Sequence, residues 1–550
     1  MSNPFLQFSS HTDRIVIFIG LTLLSWAITW EAYMVFIITP TVTSRLSANN
    51  ISSILSTVLY ILQTALLPIY SKLADFMGRA ETYAISLMFY VVSFVIMATA
   101  QNYDTLVGGQ VVYAFGNSGC VILGPIVIGD MTSVVNRGLF QAAYNVPSLI
   151  SMFASTYVAE MLLARDLWRW IYGMNPILLI ITSAPLLVGL WNVQAKIRQA
   201  GARDRKPTEK KGTLLEKISW LAVEVDLIGS LLLVAGLCLV LFPLVLAVPR
   251  LGGWESGITI STLSCGVLAW VLFGLWESKF AKKPIISLTR WESSNPLWGV
   301  LAALAVTMLA SANWQYFTTY LQVSRRASPA KAVLLERGYS VAYIFAQLLV
   351  GYLMKRTRVW RPFVWSGVFL LILGVGLMVP ARLPTSSDAF VVISQTIAGI
   401  GSGMLAMPIM VAVQSSVPHS DMATVTSFYQ VAGSLGSCFG STMAGAIWNA
   451  LLPGKFAKYV PGEYDYLKIV QSIDYALALP QDQYEGVVKS YGEVQKILSI
   501  ISVFIAFSTF VFTIPLEAFG LVDTEATTPL NKNNGASNTY GSVNVDLSTK

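Results

Sequence analysis

Apolar runs of about 20 residues recur along the chain from Ile15 to Pro515, separated mostly by short polar connections. A run of that length spans the roughly 30 Å hydrocarbon core as an α-helix. Lipid leaves the backbone little choice, because unpaired N–H and C=O groups find no partner there. The pattern predicts fourteen such helices, the first over 15–39 and the last over 497–516. The fold class expected is all-α and integral to the membrane.

Two connections are longer than the rest. Lys196 to Lys217 is the most basic segment of the chain and separates six spans from eight. Leu451 to Gln495, between spans 13 and 14, mixes charges with tyrosines, and its middle suits short amphipathic helices. The expected order is a tail over 1–14, six spans within 15–192 and a basic linker over 193–225. Two additional spans within 226–277 follow, then six more within 278–520 that include the 451–495 loop, and a polar, disordered tail over 521–550.

Composition agrees. The chain is 55% hydrophobic and only 12% charged, with mean hydropathy +0.62; a soluble domain carries about 25% charged residues. The net charge of +7 comes from Lys and Arg gathered in particular loops. That points to membrane orientation rather than to nucleic acid, and places both termini in the cytoplasm. Arg325, Arg326, Lys331 and Arg337 run against this rule on the outer side. Cys120, Cys238, Cys265 and Cys438 all fall within apolar runs and read as helix-packing residues. His11 and His419 lie too far apart to suggest one metal site. No metal and no cofactor is expected.

Glu31 is the sharpest candidate for chemistry. It falls within the first span among Trp26, Trp30 and Tyr33. An ionised carboxylate there is costly, so it should be protonated, paired or open to a water-filled cavity. The functional reading is a group that binds and releases a proton; the structural one is a hydrated interfacial carboxylate. Polar and aromatic residues inside spans are candidates to line a cavity: Gln110, Asn117, Tyr144, Asn145, Asn313, Trp314, Tyr316, Tyr320, Gln395, Gln414, Tyr429 and Gln430. Each could instead bond or pack between helices. The Asn313–Tyr316 cluster in span 9 stands foremost. Glycine-dense stretches at Gly399–Gly403 and Gly433–Gly445 read as close helix crossings.

A weak internal repeat supports six plus six spans. Ser71 to Arg79 after span 2 and Gly351 to Arg356 after span 10 both resemble the major facilitator pattern G-x-L-A-D-R-x-G-R. Pro68 to Glu81, Gly108 to Gly119, Ile128 to Leu139, Trp168–Trp170, Trp276 to Ile285 and Gly399 to Pro453 are together similar to fungal siderophore–iron transporters, the 14-span branch of that superfamily. Ser71 departs from the usual Gly of the pattern and Ala80 from the usual basic residue, while Tyr144 to Leu149 lacks the G-x-x-x-G-P signature of drug–proton antiporters.

The resemblance implies the major facilitator fold, with two pseudo-symmetric six-helix bundles plus two additional spans and substrate near the midplane. It implies that the chain is not an enzyme but a monomeric secondary transporter, taking up ferric siderophores with protons by alternating access. The plasma membrane is the expected site, with endosomal or vacuolar membranes as other possibilities. Export or exchange of small organic solutes by the same superfamily stays open. Asp75, Arg79, Asp130 and Arg137 would form a cytoplasmic conformational gate. The outer loop, with Tyr464 and Tyr466, would take part in substrate recognition.

Overall fold

Ser10 sets the first helix. Its hydroxyl accepts the Asp13 amide at 3.2 Å and its own amide donates to the Asp13 carboxylate at 2.9 Å, a reciprocal cap. Asn102 and Ser387 begin later helices through the amides of Thr105 (2.8 Å) and Phe390 (3.3 Å). The computed structural model describes residues 8–46, 49–132, 134–200, 223, 226–248, 250–281, 293–418, 421–517 and 519–520. Most of the expected basic linker, the expected tail over 521–550 and His419 lie outside the described residues.

The helices are α1 (His11–Arg45), α2 (Ser53–Phe76), α3 (Arg79–Ala98), α4 (Tyr103–Met131), α5 (Val134–Asn145), α6 (Ser148–Ala164), α7 (Trp168–Gly173) and α8 (Asn175–Gln199). They continue with α9 (Leu227–Leu246), α10 (Gly257–Leu275), α11 (Asn295–Trp314), α12 (Phe317–Ser324), α13 (Pro329–Thr357), α14 (Arg361–Ala381) and α15 (Asp388–Ser415). The last are α16 (Met422–Tyr459), α17 (Tyr466–Gln471), α18 (Ile473–Leu477) and α19 (Gln481–Thr513). Among the described residues, thirteen helices or broken-helix runs are long and apolar enough to cross a bilayer. This is a multi-pass membrane protein.

The expected thirteenth span, 424–447, falls on α16, which is the longest helix at 38 residues but is not one of those thirteen. Its glycines and serines are the reason. An added Cβ at Gly440 would stand 2.9 Å from the Ala312 amide, and one at Gly436 would stand 2.9 Å from the Leu304 carbonyl carbon. Alpha16 therefore lies backbone to backbone on α11, and a helix enclosed by protein need not be apolar.

Two six-span groups face each other, α1–α8 and α11–α16 with α19. Within the first, α1 packs on α6 and α8, and α4 on α2 and α3; within the second, α13 and α14 pack on α15, and α11 on α16 and α19. The most extensive contacts between the groups are α2 with α16 and α5 with α13; α13 also touches α1 and α6, α15 touches α5, and α16 touches α4. The additional helices α9 and α10 pair with each other, and α9 leans on both α2 and α16 through Ile61, Leu237 and Cys438. Cys265 lies exposed on α10.

Several boundaries differ from expectation. Ser71 to Phe76 remain helical, so Asp75 sits on the last turn of α2 and not in a loop. Gly78 makes the break: its φ of 117° is a conformation that side-chain-bearing residues rarely adopt. Arg337 lies within α13 and is buried, not in an outer loop. The segment expected over 451–495 is shorter as a connection, because α16 runs on to Tyr459 and α19 starts at Gln481. Between them sit the short helices α17 and α18, as the pattern of that loop suggested.

At the Asp75 end the groups touch closely. Gly138 of α5 meets Gly351 of α13, where a Cβ on Gly351 would stand 3.1 Å from the Gly138 carbonyl oxygen. Overpacking of such a crossing costs about 1–3 kcal/mol. Gly351→Val is expected to lower the melting temperature of the detergent-purified protein. Gly376→Val on α14, where an added Cβ meets nothing within 4 Å, serves as the control and is expected to leave it unchanged.

Candidate functional site

A cavity of about 490 Å³ lies between the two groups. Its walls come from α1 (Glu31 to Pro40), α2 (Leu55 to Tyr60), α4 (Leu106 to Tyr113), α11–α12 (Ala310 to Thr319) and α13 (Glu336 to Ser340). On each helix these residues lie toward the end that carries α17 and α18. The cavity is thus displaced toward that end, while the Asp75 end is shut beneath it. There Gln141 donates to Gln414 (3.3 Å), Gln414 to Thr426 (2.9 Å), Asn145 to Gln347 (3.1 Å), and Ser71 to the Ala423 carbonyl (3.2 Å).

Glu31 stands in the wall, 1% exposed. Its Oε2 accepts the hydroxyls of Tyr90 (2.9 Å) and Tyr113 (3.3 Å). The Asn117 amide donates to both tyrosine oxygens, at 3.3 and 3.2 Å, and its own oxygen accepts Gln63 at 2.6 Å. Ser434 of α16 donates to the Gln63 oxygen at 3.3 Å. The result is a continuous buried chain from a carboxylate on α1, through α3, α4 and α2, into the other group. Buried polar groups need such partners, and in lipid the protein must supply them.

The span 9 cluster divides. The chain breaks between α11 and α12 at Gln315–Tyr316, and Trp314, Gln315, Thr318 and Thr319 face the cavity. Gln395 holds Trp314 by accepting its indole N–H at 2.8 Å, and Tyr339 lies against the ring at 4.4 Å. Asn313 points elsewhere, accepting Arg382 at 2.8 Å. Tyr316 donates to the Asn50 carbonyl at 3.1 Å and stacks on Trp448, and Tyr320 donates to the Arg382 carbonyl at 2.7 Å. Gln110 lines the cavity.

The other candidates lie around it. Asn117 is in the Glu31 chain; Asn145 and Gln414 cross between groups at the closed end. The Tyr144 carbonyl accepts Ser25 at 2.9 Å, Tyr429 donates to the Ala406 carbonyl at 3.2 Å, and Gln430 is half-buried one turn before Ser434. Tyr464 and Tyr466 pack edge-on against Phe456, fixing the α16–α17 connection to the end of α16. Three of the four gate candidates meet, Arg79 pairing with Asp75 at 2.6 Å and Asp130 at 3.3 Å; Arg137 is buried near Gly129.

Three buried charges of the second group, Glu336, Arg337 and Arg382, were not among the site candidates. Glu336 and Arg337 line the cavity, and Thr318 donates to Glu336 at 2.7 Å. Arg382, 1% exposed, donates to the Asn313 carbonyl at 2.6 Å and lies 3.8 Å over the Phe317 ring. The adjacent acid and base at 336–337, inside an apolar run, were the signal: intramembrane ionisable residues mark functional sites by default.

Residues 17–441 match the Major Facilitator Superfamily. Among curated relatives, the siderophore iron transporter mirC of Emericella nidulans is 28% identical over 498 residues, covering 89% of this chain and 81% of that protein. The MFS siderochrome iron transporter C of Aspergillus fumigatus is 29% identical, covering 85% and 78%. Siderophore iron transporter 1 of Schizosaccharomyces pombe is 28% identical, covering 90% and 81%. Among solved structures, a bacterial homologue of the human lysosomal transporter Spinster, inward-facing and unoccupied, superposes with TM-score 0.55 at 14% identity, covering 92% of this chain and 97% of that one. The proton:xylose symporter XylE gives 0.52 at 11% identity, covering 94% and 99%. These structural likenesses speak to the fold.

Asn117→Leu removes two donors and one acceptor from the Glu31 chain, and each buried polar group left unpaired costs about 1–3 kcal/mol. The variant is expected to melt well below the parent in detergent. Gln110→Leu, on the cavity wall, is expected to melt within a few degrees of it.

Proposed function

Because the chain belongs to the Major Facilitator Superfamily, we propose that it is a secondary active transporter that takes up ferric siderophores by alternating access, driven by protons. The observation that carries this reading is the cavity with Glu31 in its wall, linked by hydrogen bonds to the opposite helix group. The curated relatives named above, alike over most of the chain, support the substrate class. A ferric siderophore is an oxygen-rich chelate already holding its metal. It calls for donors and aromatic walls, as Trp314, Gln315, Tyr60 and Tyr339 offer, rather than for ligands to iron.

In this reading the Asp75 end faces the cytoplasm, the α17–α18 end faces outside, and the plasma membrane is the site of action. Substrate and a proton enter the cavity from outside, the proton at Glu31. Protonating Glu31 changes what Tyr90 and Tyr113 can donate to, and through Asn117 and Gln63 alters the bond to Ser434. Opening at the cytoplasmic end requires α5 to part from α13 and α15, and α2 from α16. Asp75, Arg79, Asp130 and Arg137 act as the latch on that end, by charge pairs that hold in one state and release in the other.

The test is iron-55 uptake, supplied as several purified ferric siderophores to cells lacking their own carriers, at pH 5 and pH 7. Accumulation of at least one complex, faster at pH 5, is expected, and Glu31→Gln is expected to abolish the difference between the two pH values. No accumulation of any complex, with the protein confirmed at the surface, would contradict import. Unchanged pH dependence in the variant would remove Glu31 from proton coupling.

A further inference from the structure

Arg337 lies in the cavity wall on α13 and is 6% exposed. Its guanidinium carbon stands 4.2 Å over the ring of Tyr33, on α1 of the other group. Its Nε and Nη2 are buried with no hydrogen-bond acceptor. Among the described residues, no carboxylate takes that role. Glu336, its neighbour in sequence, projects from a different face of the helix and is engaged by Thr318. Glu31, across the cavity, is occupied by Tyr90 and Tyr113. Behind Arg337 runs an apolar groove lined by Phe153, Leu334, Val341 and Phe345.

The placement of the buried guanidiniums points the same way. Of the second group's two buried guanidiniums, Arg337 and Arg382, only Arg337 lines the cavity; Arg382 bonds Asn313 through Nη1, and its own Nε and Nη2 are buried away from the cavity wall. Arg337 is the one cation among the described residues that line the cavity. Contact with Tyr33 through the ring face leaves the guanidinium edge for a planar anion, which it can bind through two parallel N–H donors. We propose that Arg337, seated on Tyr33, is an anion subsite of the cavity, selecting ferric chelates with a free carboxylate over neutral ones. This rests on the siderophore reading of the cavity.

Two probes isolate the charge: a ferric trihydroxamate whose terminal amine is acetylated, hence neutral, and the same chelate succinylated, hence bearing one carboxylate. Binding to the full-length protein in nanodiscs is read by quenching of tryptophan fluorescence. The parent is expected to bind the succinylated chelate about tenfold or more tighter, as for a buried charge-assisted contact. Arg337→Gln is expected to bring the two affinities together by weakening only the succinylated one, and Arg337→Lys to recover part of the difference. Equal affinity in the parent, or equal weakening of both chelates in Arg337→Gln, overturns the subsite. Binding of neither chelate by the parent sinks the siderophore reading and the subsite with it. Should Arg337→Gln fail to fold, the ratio in the parent and in Arg337→Lys decides.

Discussion

A carboxylate that is 1% exposed within a membrane protein has lost most of its water and finds no partner in lipid, so the protein must supply the bonds that hold Glu31. Much of the first helix group is arranged around that requirement. Tyr90 on α3 and Tyr113 on α4 aim their hydroxyls at one carboxylate oxygen, and Asn117, one turn beyond Tyr113, bonds both tyrosines. Gln63 then carries the chain to Ser434. Four helices of one group and one of the other are tied by side chains that would each be costly alone. A change at Glu31 reaches beyond its neighbours, because Oε2, both tyrosines, Asn117, Gln63 and Ser434 are joined in one chain of bonds.

The two kinds of contact differ in how easily they part. Inside each group the helices meet through extensive apolar clusters, Ile17 with Leu186 and Leu190, for example, and Val364 with Leu405. Between groups at the closed end the apolar contact is smaller, Ala142 on one side and Ala423 on the other, and amides and glycines join it: Gln141 with Gln414, Asn145 with Gln347, Gly138 with Gly351. An amide that loses its partner to water exchanges one hydrogen bond for another at modest net cost. Apolar clusters have no such exchange available. Rigid groups with a separable seam are what alternating access needs.

Much of this was legible in the sequence, since lipid forces a length and an apolarity on each span. Glu31 and the Asp75–Arg79–Asp130 cluster were visible because charge inside or beside such spans is rare. Direction was not visible. Successive residues on a helix point about 100° apart, so Trp314 faces the cavity while Asn313, next to it, faces Arg382. In spans that are apolar all round, nothing in the pattern says which face is inward. Tyr90 and Gln63 were missed for that reason. Arg337 was misplaced because a basic residue near a span's end ordinarily reaches for water, whereas α13 begins at Pro329 and carries it inside. Alpha16 shows the converse: its glycines were legible as packing, but the price in hydropathy appears only once α11 and α2 are seen to enclose it.

The proposed path of the substrate runs through one cavity. The most direct measurement places a single reporter there: Thr319→Cys, in a background with Cys238→Ser and Cys265→Ser, labelled from outside intact cells with a membrane-impermeant maleimide. The account predicts that the reporter is labelled and that a transported ferric siderophore slows labelling, half-maximally near the concentration that half-saturates uptake. Labelling at one rate with and without saturating siderophore would contradict it.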